Sequence, residues 1–347
     1  MSTTFDDESR KIVRIARDWV REAGIDSFHD GQGICHVVLP ERGHLRPGMF
    51  AVGGDSHSPT GGAFAAYMFG IGATEMLGVL VTGEIWLKVP HTIAMEFSEK
   101  LSNGVSAKDI MLFLIGRFGL DGGQYQAVEY RGAAIRALPM QERMTLCNMT
   151  AELGGQTGLI ASDSVTQEFL NTKVETWESD PAAPLLGHHR FDASTLAPQV
   201  AAPHSPANSK AVDEFKHVKP GVAYIGACTG AKLVDLRMAA QVLQNKKSRM
   251  KLMVAPASAR DVKAAEQEGT LKILQDAGAE FLGLGCGICA GYGGNVLGEN
   301  VVAISTTARN FKGRMGAASS QVYLASPYTV AATAVAGHVC DPREMLQ

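Results

Sequence analysis

The chain carries no marked excess of charge: 32 Lys and Arg against 35 Asp and Glu leave a net charge of -3. It therefore lacks the basic stripe that would serve nucleic acid or an anionic membrane surface. It has no long apolar run either. MLGVLV at 76–81 is far below the roughly 18 residues of a bilayer span. The opening MSTTFDDESRKIVR shows no basic-then-apolar pattern of a secretory leader. Six cysteines in 347 residues do not form a secreted disulfide framework. No internal repeat or low-complexity tract is found. These absences argue against nucleic-acid and membrane partners and favour a reducing compartment, with cytoplasm as the default. The 46% hydrophobic and 19% charged residues suit an ordinary globular protein with core enough for two or three domains.

What is present concentrates between Gly283 and Arg314, GLGCGICAGYGGNVLGENVVAISTTARNFKGR. Cys286 and Cys289 follow a short apolar run in a glycine-dense loop, and Arg309 and Arg314 follow a second run, Val301 to Ile304. A C-x-x-C pair can be a redox dithiol, half a zinc site, two buried thiols or part of a cluster site. Cys228, in YIGACTGAKLVDL, occupies another junction of apolar run and small-residue loop. Three thiols at strand-to-loop junctions can converge on the carboxyl edge of one sheet, where open α/β folds place ligands. Three thiolates are one short of the four that hold a cubane cluster, which would leave one iron open to substrate. Paired arginines supply forked donors that match carboxylates. Cys35, Cys147 and Cys340 read as free core thiols.

In chain order, residues 7–24 predict an amphipathic helix, with Ile12, Ile15, Ala16, Trp19, Val20 and Ala23 at three- and four-residue steps. Ile34 to Leu39 reads as a short strand containing His36, a type that is usually a satisfied core residue in such a place. A strand at Phe50 to Val52 runs into Asp55-Ser56-His57, either a polar site or a turn with a helix cap. Residues 91–135 predict strand, helix capped by Ser106, and strand, the last carrying Glu129 among apolar neighbours. Met144 to Leu159 carries a helical pattern in which Gly154-Gly155 suggests close packing or a break. The proline-punctuated stretch 180–220 reads as a linker too long for an internal loop. Beyond it, strands near 222, 252, 281, 301 and 322 alternate with helices near 233, 260 and 328, which implies a mostly parallel sheet covered on both faces.

Seven segments in order, GDSHSPTGGAF, GGQYQAVEYRG, RMTLCNMTAELGG, YIGACTGAKLVDL, GCGICAG, TTARNFKGRMG and VYLASPYTVAATAVAG, carry a resemblance to the aconitase superfamily. Within it the chain resembles the large subunits of two-subunit 3-isopropylmalate dehydratases and their relatives, from about Ile12 onward. The resemblance implies α/β architecture: three-layer α/β/α domains with mostly parallel sheets, at 1–90 (N-terminally short), 91–205 and 206–347, lacking the swivelling domain. It implies that Cys228, Cys286 and Cys289 hold a [4Fe-4S] cluster with one iron not ligated by cysteine. It implies substrate binding by Ser56, Arg309 and Arg314, and catalytic roles for His36, Asp55, His57 and Glu129. Gly230 and Ala308 stand where relatives have asparagines expected near the cluster. The activity implied is dehydration and isomerisation of a 2- or 3-hydroxy dicarboxylate, 3-isopropylmalate or a related malate, together with a small subunit carrying the swivelling domain. The competing expectations are an aconitase- or homoaconitase-type activity on tricarboxylates, a degenerate cluster-binding or regulatory protein, and an inactive truncated product.

Overall fold

The structure, a computed structural model, describes residues 7–291 and 295–346. Residues 1–6, read above for a leader, and 292–294 of the cysteine loop lie outside the described residues. The chain opens with α1 (Asp7–Glu22), α2 (Cys35–Glu41), β1 (Phe50–Gly53), β2 (Tyr67–Gly70) and α3 (Ala73–Thr82). It continues through β3 (Thr92–Ser98), α4 (Ala107–Phe118), β4 (Ala127–Arg131), α5 (Ala133–Ala137), α6 (Met140–Asn148), β5 (Thr157–Leu159), α7 (Ser164–Leu170) and β6 (Leu185–Asp192). Next are β7 (Gln199–Ala201), β8 (Ser209–Ala211), β9 (Val222–Ile225), α8 (Leu233–Leu243), β10 (Lys251–Val254), α9 (Ala259–Gln267) and α10 (Thr270–Asp276). The chain closes with β11 (Ala279–Phe281), β12 (Val302–Ser305), β13 (Gln321–Ala325) and α11 (Pro327–Ala336).

Three sheets result. β1 and β2 form a parallel pair, β5-β4-β3-β6 a four-stranded parallel sheet, and β11-β10-β9-β12-β13-β7-β8 a seven-stranded sheet. In the last, β11 through β13 are parallel and β7 and β8 complete the edge antiparallel. Its strands are apolar on both faces, as a covered parallel sheet requires. Ala223, Ile225, Leu252, Val254 and Ile304 face α8, α10 and α11 through Leu236, Ala239, Leu243, Leu274 and Val330. Tyr224, Met253, Ala303, Val322 and Leu324 face the other way, into a core shared with Ile110, Met111 and Leu114 of α4 and with Met95, Phe97 and Val128 of the four-stranded sheet. Each fully buried aliphatic side chain is worth about 1.5–3 kcal/mol, so this second core fixes one sheet against the other.

Helix boundaries follow local chemistry. Asp109 accepts from the Ser106 backbone N–H at 2.8 Å, boxing the start of α4 as the sequence predicts. Ser326 caps α11, Pro327 takes its first turn, and Gly337 ends it in the left-handed region at φ 80.

Four expectations are corrected. Ile34 to Leu39 is not a strand: Cys35–Glu41 is a two-turn helix, anchored where Ile34 donates to the Ala257 carbonyl at 2.8 Å. So short an apolar run has no periodicity that separates helix from strand. The helix read through Leu159 stops at Asn148, and Thr157–Leu159 is a strand beside β4. The stretch 180–220 is no linker, for it supplies β6 to one sheet and β7 and β8 to another. Its prolines sit where strands tolerate them: Pro184, Pro198 and Pro220 precede strands, and Pro203 and Pro206 lie between β7 and β8. The chain thus crosses between sheets within 193–198, ahead of the expected boundary at 205. Finally, Cys147 and Cys340 are buried free thiols, but Cys35 is exposed.

Candidate active site

The seven-stranded sheet turns about β9. The chain runs outward from β9 through β10 to β11, then returns to place β12 on the other side of β9. The loops leaving the carboxyl ends of β9 and β12 therefore diverge at a switch point, where such sheets hold ligands. Cys228 is in the loop after β9, Cys286 and Cys289 follow β11, and Arg309 and Arg314 follow β12. Tyr224 braces the cysteine loop by donating its hydroxyl to the Cys286 carbonyl at 2.9 Å. Gly287, between the two cysteines, lies at φ +53 and abuts that same hydroxyl, so a side chain there meets both strain and a clash.

The three thiols lie near enough to repel one another as thiolates. Cys228 and Cys289 are buried, and burial, together with mutual repulsion, lifts the Cys228 thiol well above its ordinary range. Burial and the neighbouring Cys289 push Cys286 up to about 12. Burial also raises Cys289, against the pull of Arg314. Without a cation the trio stays protonated, whereas a bound metal deprotonates it. Asn148, at the end of α6, donates its amide to Cys228 Sγ at 3.2 Å and to Thr60 Oγ1 at 2.8 Å. Its Oδ1 is buried with no partner. Gly230 is packed against the Thr306 side chain, so that a side chain there would clash.

Beside the thiols runs a chain of charged groups. His36 of α2 and Asp55, after β1, meet at 2.7 Å, and Asp55 also accepts from the His57 backbone N–H at 2.8 Å. Burial opposes the charge on His36, but hydrogen bonds with Asp55 and Cys35 outweigh it and raise the imidazole to about 9. The His36 bond, against partial burial, holds Asp55 well below the usual carboxylate range. His57 Nε2 lies 3.0 Å from Glu152 Oε1, and Arg309 Nε donates to the same oxygen at 2.6 Å. The Glu152 side chain is 1% exposed. Burial favours its neutral form, yet the charge and hydrogen bond of His57, then those of Arg309, hold it below its ordinary range. Arg309 is engaged through Nε alone among the described contacts, so its forked edge is uncommitted. Arg314 donates from Nε to the Cys289 carbonyl at 3.1 Å.

Of the residues singled out from sequence, the structure brings His36, Asp55 and His57 together, their ligating atoms within 4.8 Å of one another. Ser56 is exposed between the last two. Glu129 is not brought to this group. It lies on the polar face of the four-stranded sheet, accepts from Ser179 at 2.7 Å and faces Arg131 at 3.6 Å. Strand alternation explains this, since Val128 and Tyr130 point into the core and Glu129 away from it. The carboxylate at the site is Glu152, which sequence reasoning missed together with Asn148. The signal was there: in CNMTAE the two are four residues apart, on one side of a helical turn. A cavity of about 1190 Å³ lies elsewhere, lined by Phe50, Phe69, Trp86 and Tyr125. It holds none of the thiols or histidines of the charged chain, so the chemistry is assigned to the switch-point site instead.

Comparison with known proteins agrees with the fold. The Aconitase family model (aconitate hydratase) matches residues 2–220 and 208–337. The chain is 45% identical, over 97% of its length and 87% of the relative's, to a Methanosarcina mazei protein named probable methanogen homoaconitase large subunit. It is 42% identical to 3-isopropylmalate dehydratase large subunit 1 of Methanopyrus kandleri, over 98% of this chain and 83% of that one. Among solved structures, the holo form of Thermococcus kodakaraensis aconitase X superposes with a TM-score of 0.50. That match covers 89% of this chain and 73% of the other at 13% identity, and it bears on the fold alone.

Proposed function

The chain belongs to the aconitase family, and from that premise we propose that it is the large subunit of a two-subunit hydro-lyase. Its substrate is a small hydroxy acid with at least two carboxylates, of the 3-isopropylmalate type. Family membership implies a [4Fe-4S] cluster, and the residues present fit one. The donor set is two buried thiols, Cys228 and Cys289, and the exposed Cys286 at one sheet edge, with an amide donating to one sulfur and an acceptor beside it left without a partner. Cys228, Cys286 and Cys289 would hold the cluster, with one iron free of cysteine. When bound, the cluster supplies Lewis acidity toward the departing hydroxyl.

The protein's own groups do the rest. The uncommitted fork of Arg309 takes one substrate carboxylate bidentately, and Glu152 holds that fork in place. Arg314, tied by Nε to the Cys289 carbonyl, presents its guanidinium to a second. Asp55 aligns His36 through its ring and His57 through its backbone, so two imidazoles face the space beside the thiols with their orientation set. His57, with Nε2 against the buried Glu152, is the group that passes a proton to the leaving oxygen. The base that removes the α-proton is expected from the small-subunit partner that the large-subunit relatives imply.

The single observation that carries this reading is the meeting of three thiols with an arginine whose orientation is set by a buried carboxylate. A homoaconitase-type tricarboxylate is the second reading, favoured by the 45% identical relative of that name. The test is anaerobic purification with a swivelling-domain small subunit, then iron analysis and a substrate panel. Brown protein with about four irons per chain, active on dicarboxylate or tricarboxylate hydroxy acids only when the pair is complete, is the expected result. Zinc alone, or a preference for monocarboxylates, would overturn it.

A further inference from the structure

Two lysines are buried behind the thiol site. Lys232, at the start of α8, donates to Thr145 Oγ1 and the Cys228 carbonyl, both at 2.9 Å, and is neutralised by Asp235 at 2.7 Å. Lys108, on the first turn of α4, is 1% exposed and has no carboxylate partner among the described residues. Its three acceptors are the Thr306 and Thr307 carbonyls, each at 2.6 Å, and Thr229 Oγ1 at 3.3 Å. Thr229 spends its own hydroxyl proton on the Thr306 carbonyl at 3.0 Å, so it accepts from Lys108. Three accepting oxygens match the three donors of an ammonium, one more than a neutral amine offers.

An ammonium buried with only neutral partners is costly unless an anion lies near. Groups near Lys108 that can carry negative charge include Asp235, Glu152 and, as a thiolate, Cys289, while Lys232 adds a like charge. Asp235 is claimed by Lys232, and Glu152 by His57 and Arg309. Cys289 is faced by Arg314, which is only partly buried and lies on the substrate side of the proposed site. The same ammonium joins the loop that carries Cys228, through Thr229, to the loop that carries Arg309, through Thr306 and Thr307.

Resting on the reading of Cys228, Cys286 and Cys289 as cluster ligands, we propose that Lys108 is the fixed countercharge of that anionic centre and the clasp between its two loops. It is a positioning residue, out of reach of substrate. An oxidised cluster with three thiolates is an anion, and reduction adds a further negative charge. A cation fixed behind it favours the reduced form and retains the iron.

The test uses the full chain with its small-subunit partner, reconstituted with iron and sulfide, as wild type, Lys108→Met and Asp235→Asn. Reduction potential is followed by spin resonance during a redox titration, iron retention under a chelator, and folding by circular dichroism. Lys108→Met should disfavour reduction at least tenfold, about 59 mV more negative for one electron, and lose iron faster. Asp235→Asn leaves Lys232 as a second uncompensated cation, so its potential should move the opposite way. A folded Lys108→Met protein with unchanged potential overturns the proposal, even if its melting temperature falls, because a clasp alone would lower melting without moving the potential. Should Lys108→Met fail to fold, an Asp235→Asn potential that does not rise overturns it. A wild type that takes up no iron sinks the cluster reading together with this one, whereas iron uptake with unshifted variants sinks this one alone.

Discussion

Glutamate to glutamine at two positions separates the carboxylate that belongs to the site from the one that does not. Glu152→Gln preserves shape and removes the charge that Arg309 and His57 share through one oxygen, at 2.6 and 3.0 Å. Breaking a buried pair by removing one partner costs about 3–5 kcal/mol. Arg309 retains 19% exposure of its side chain, so part of its charge returns to water and about 2–3 kcal/mol is the figure expected here. The catalytic consequence is larger, because an arginine no longer held by its carboxylate drifts, and a misplacement of about 1 Å costs on the order of a hundredfold. Glu129→Gln loses a Ser179 hydrogen bond and a 3.6 Å approach to Arg131 on a solvated sheet face. It should cost less than about 1 kcal/mol and leave turnover within twofold. Denaturant unfolding of each variant, with turnover of the complete pair, gives both numbers. If Glu129→Gln proves as damaging as Glu152→Gln, or Glu152→Gln keeps wild-type turnover, the assignment of the site carboxylate is wrong.

Three further outcomes follow from the same geometry. Cys286→Ser should abolish colour and iron uptake together, and full iron content in that variant would remove Cys286 from the ligand set. Arg309→Lys and Arg314→Lys should each lower kcat/KM well over tenfold, since an ammonium lacks the fork and hydrogen bonds to charged groups are worth roughly 1.5–3 kcal/mol. Near-normal rates in both would show that these arginines do not bind carboxylates. Stability should also vary with pH through His36. Its folded pKa of about 9 exceeds the ordinary 6.5, so its contribution is complete below 6.5 and lost as pH rises through 9. Asp55, held below its ordinary 3.8, contributes above that value and loses its contribution in stronger acid. The His36 shift corresponds to about 3 kcal/mol at 1.36 kcal/mol per pH unit. Asp55 is half exposed, so screening should leave about 1–2 kcal/mol. Between pH 6 and pH 10 wild type should lose more stability than His36→Phe, the difference being the His36 contribution. An equal alkaline loss in both proteins would count against the pair.

The parts of this site that were legible in the sequence are those whose chemistry is local. Cys286 and Cys289 announce themselves by spacing, and the apolar runs ahead of Cys228, Cys286 and Arg309 mark strand ends, so their placement in loops after strands of one sheet followed from the parallel pattern. The illegible parts depend on which way a side chain faces after long-range pairing. Glu129 was attractive because it interrupts an apolar run, but in a strand that interruption marks the opposite face from the core. Glu152 looked like an ordinary polar position in a helix, and only packing brings it against His57 and Arg309, 95 and 157 residues distant in sequence. The prolines of 180–220 illustrate the same limit, since their composition reads as linker until neighbouring strands show that each proline stands where no ladder donor is required. A carboxylate buried to 1% exposure is tolerable only when it is paired and hydrogen-bonded. Glu152 is therefore bound to the fold as tightly as to the chemistry. The end of α6 presents Asn148 to Cys228 and the short 3-10 turn that follows presents Glu152 to Arg309, so one stretch of chain aligns the sulfur and the arginine.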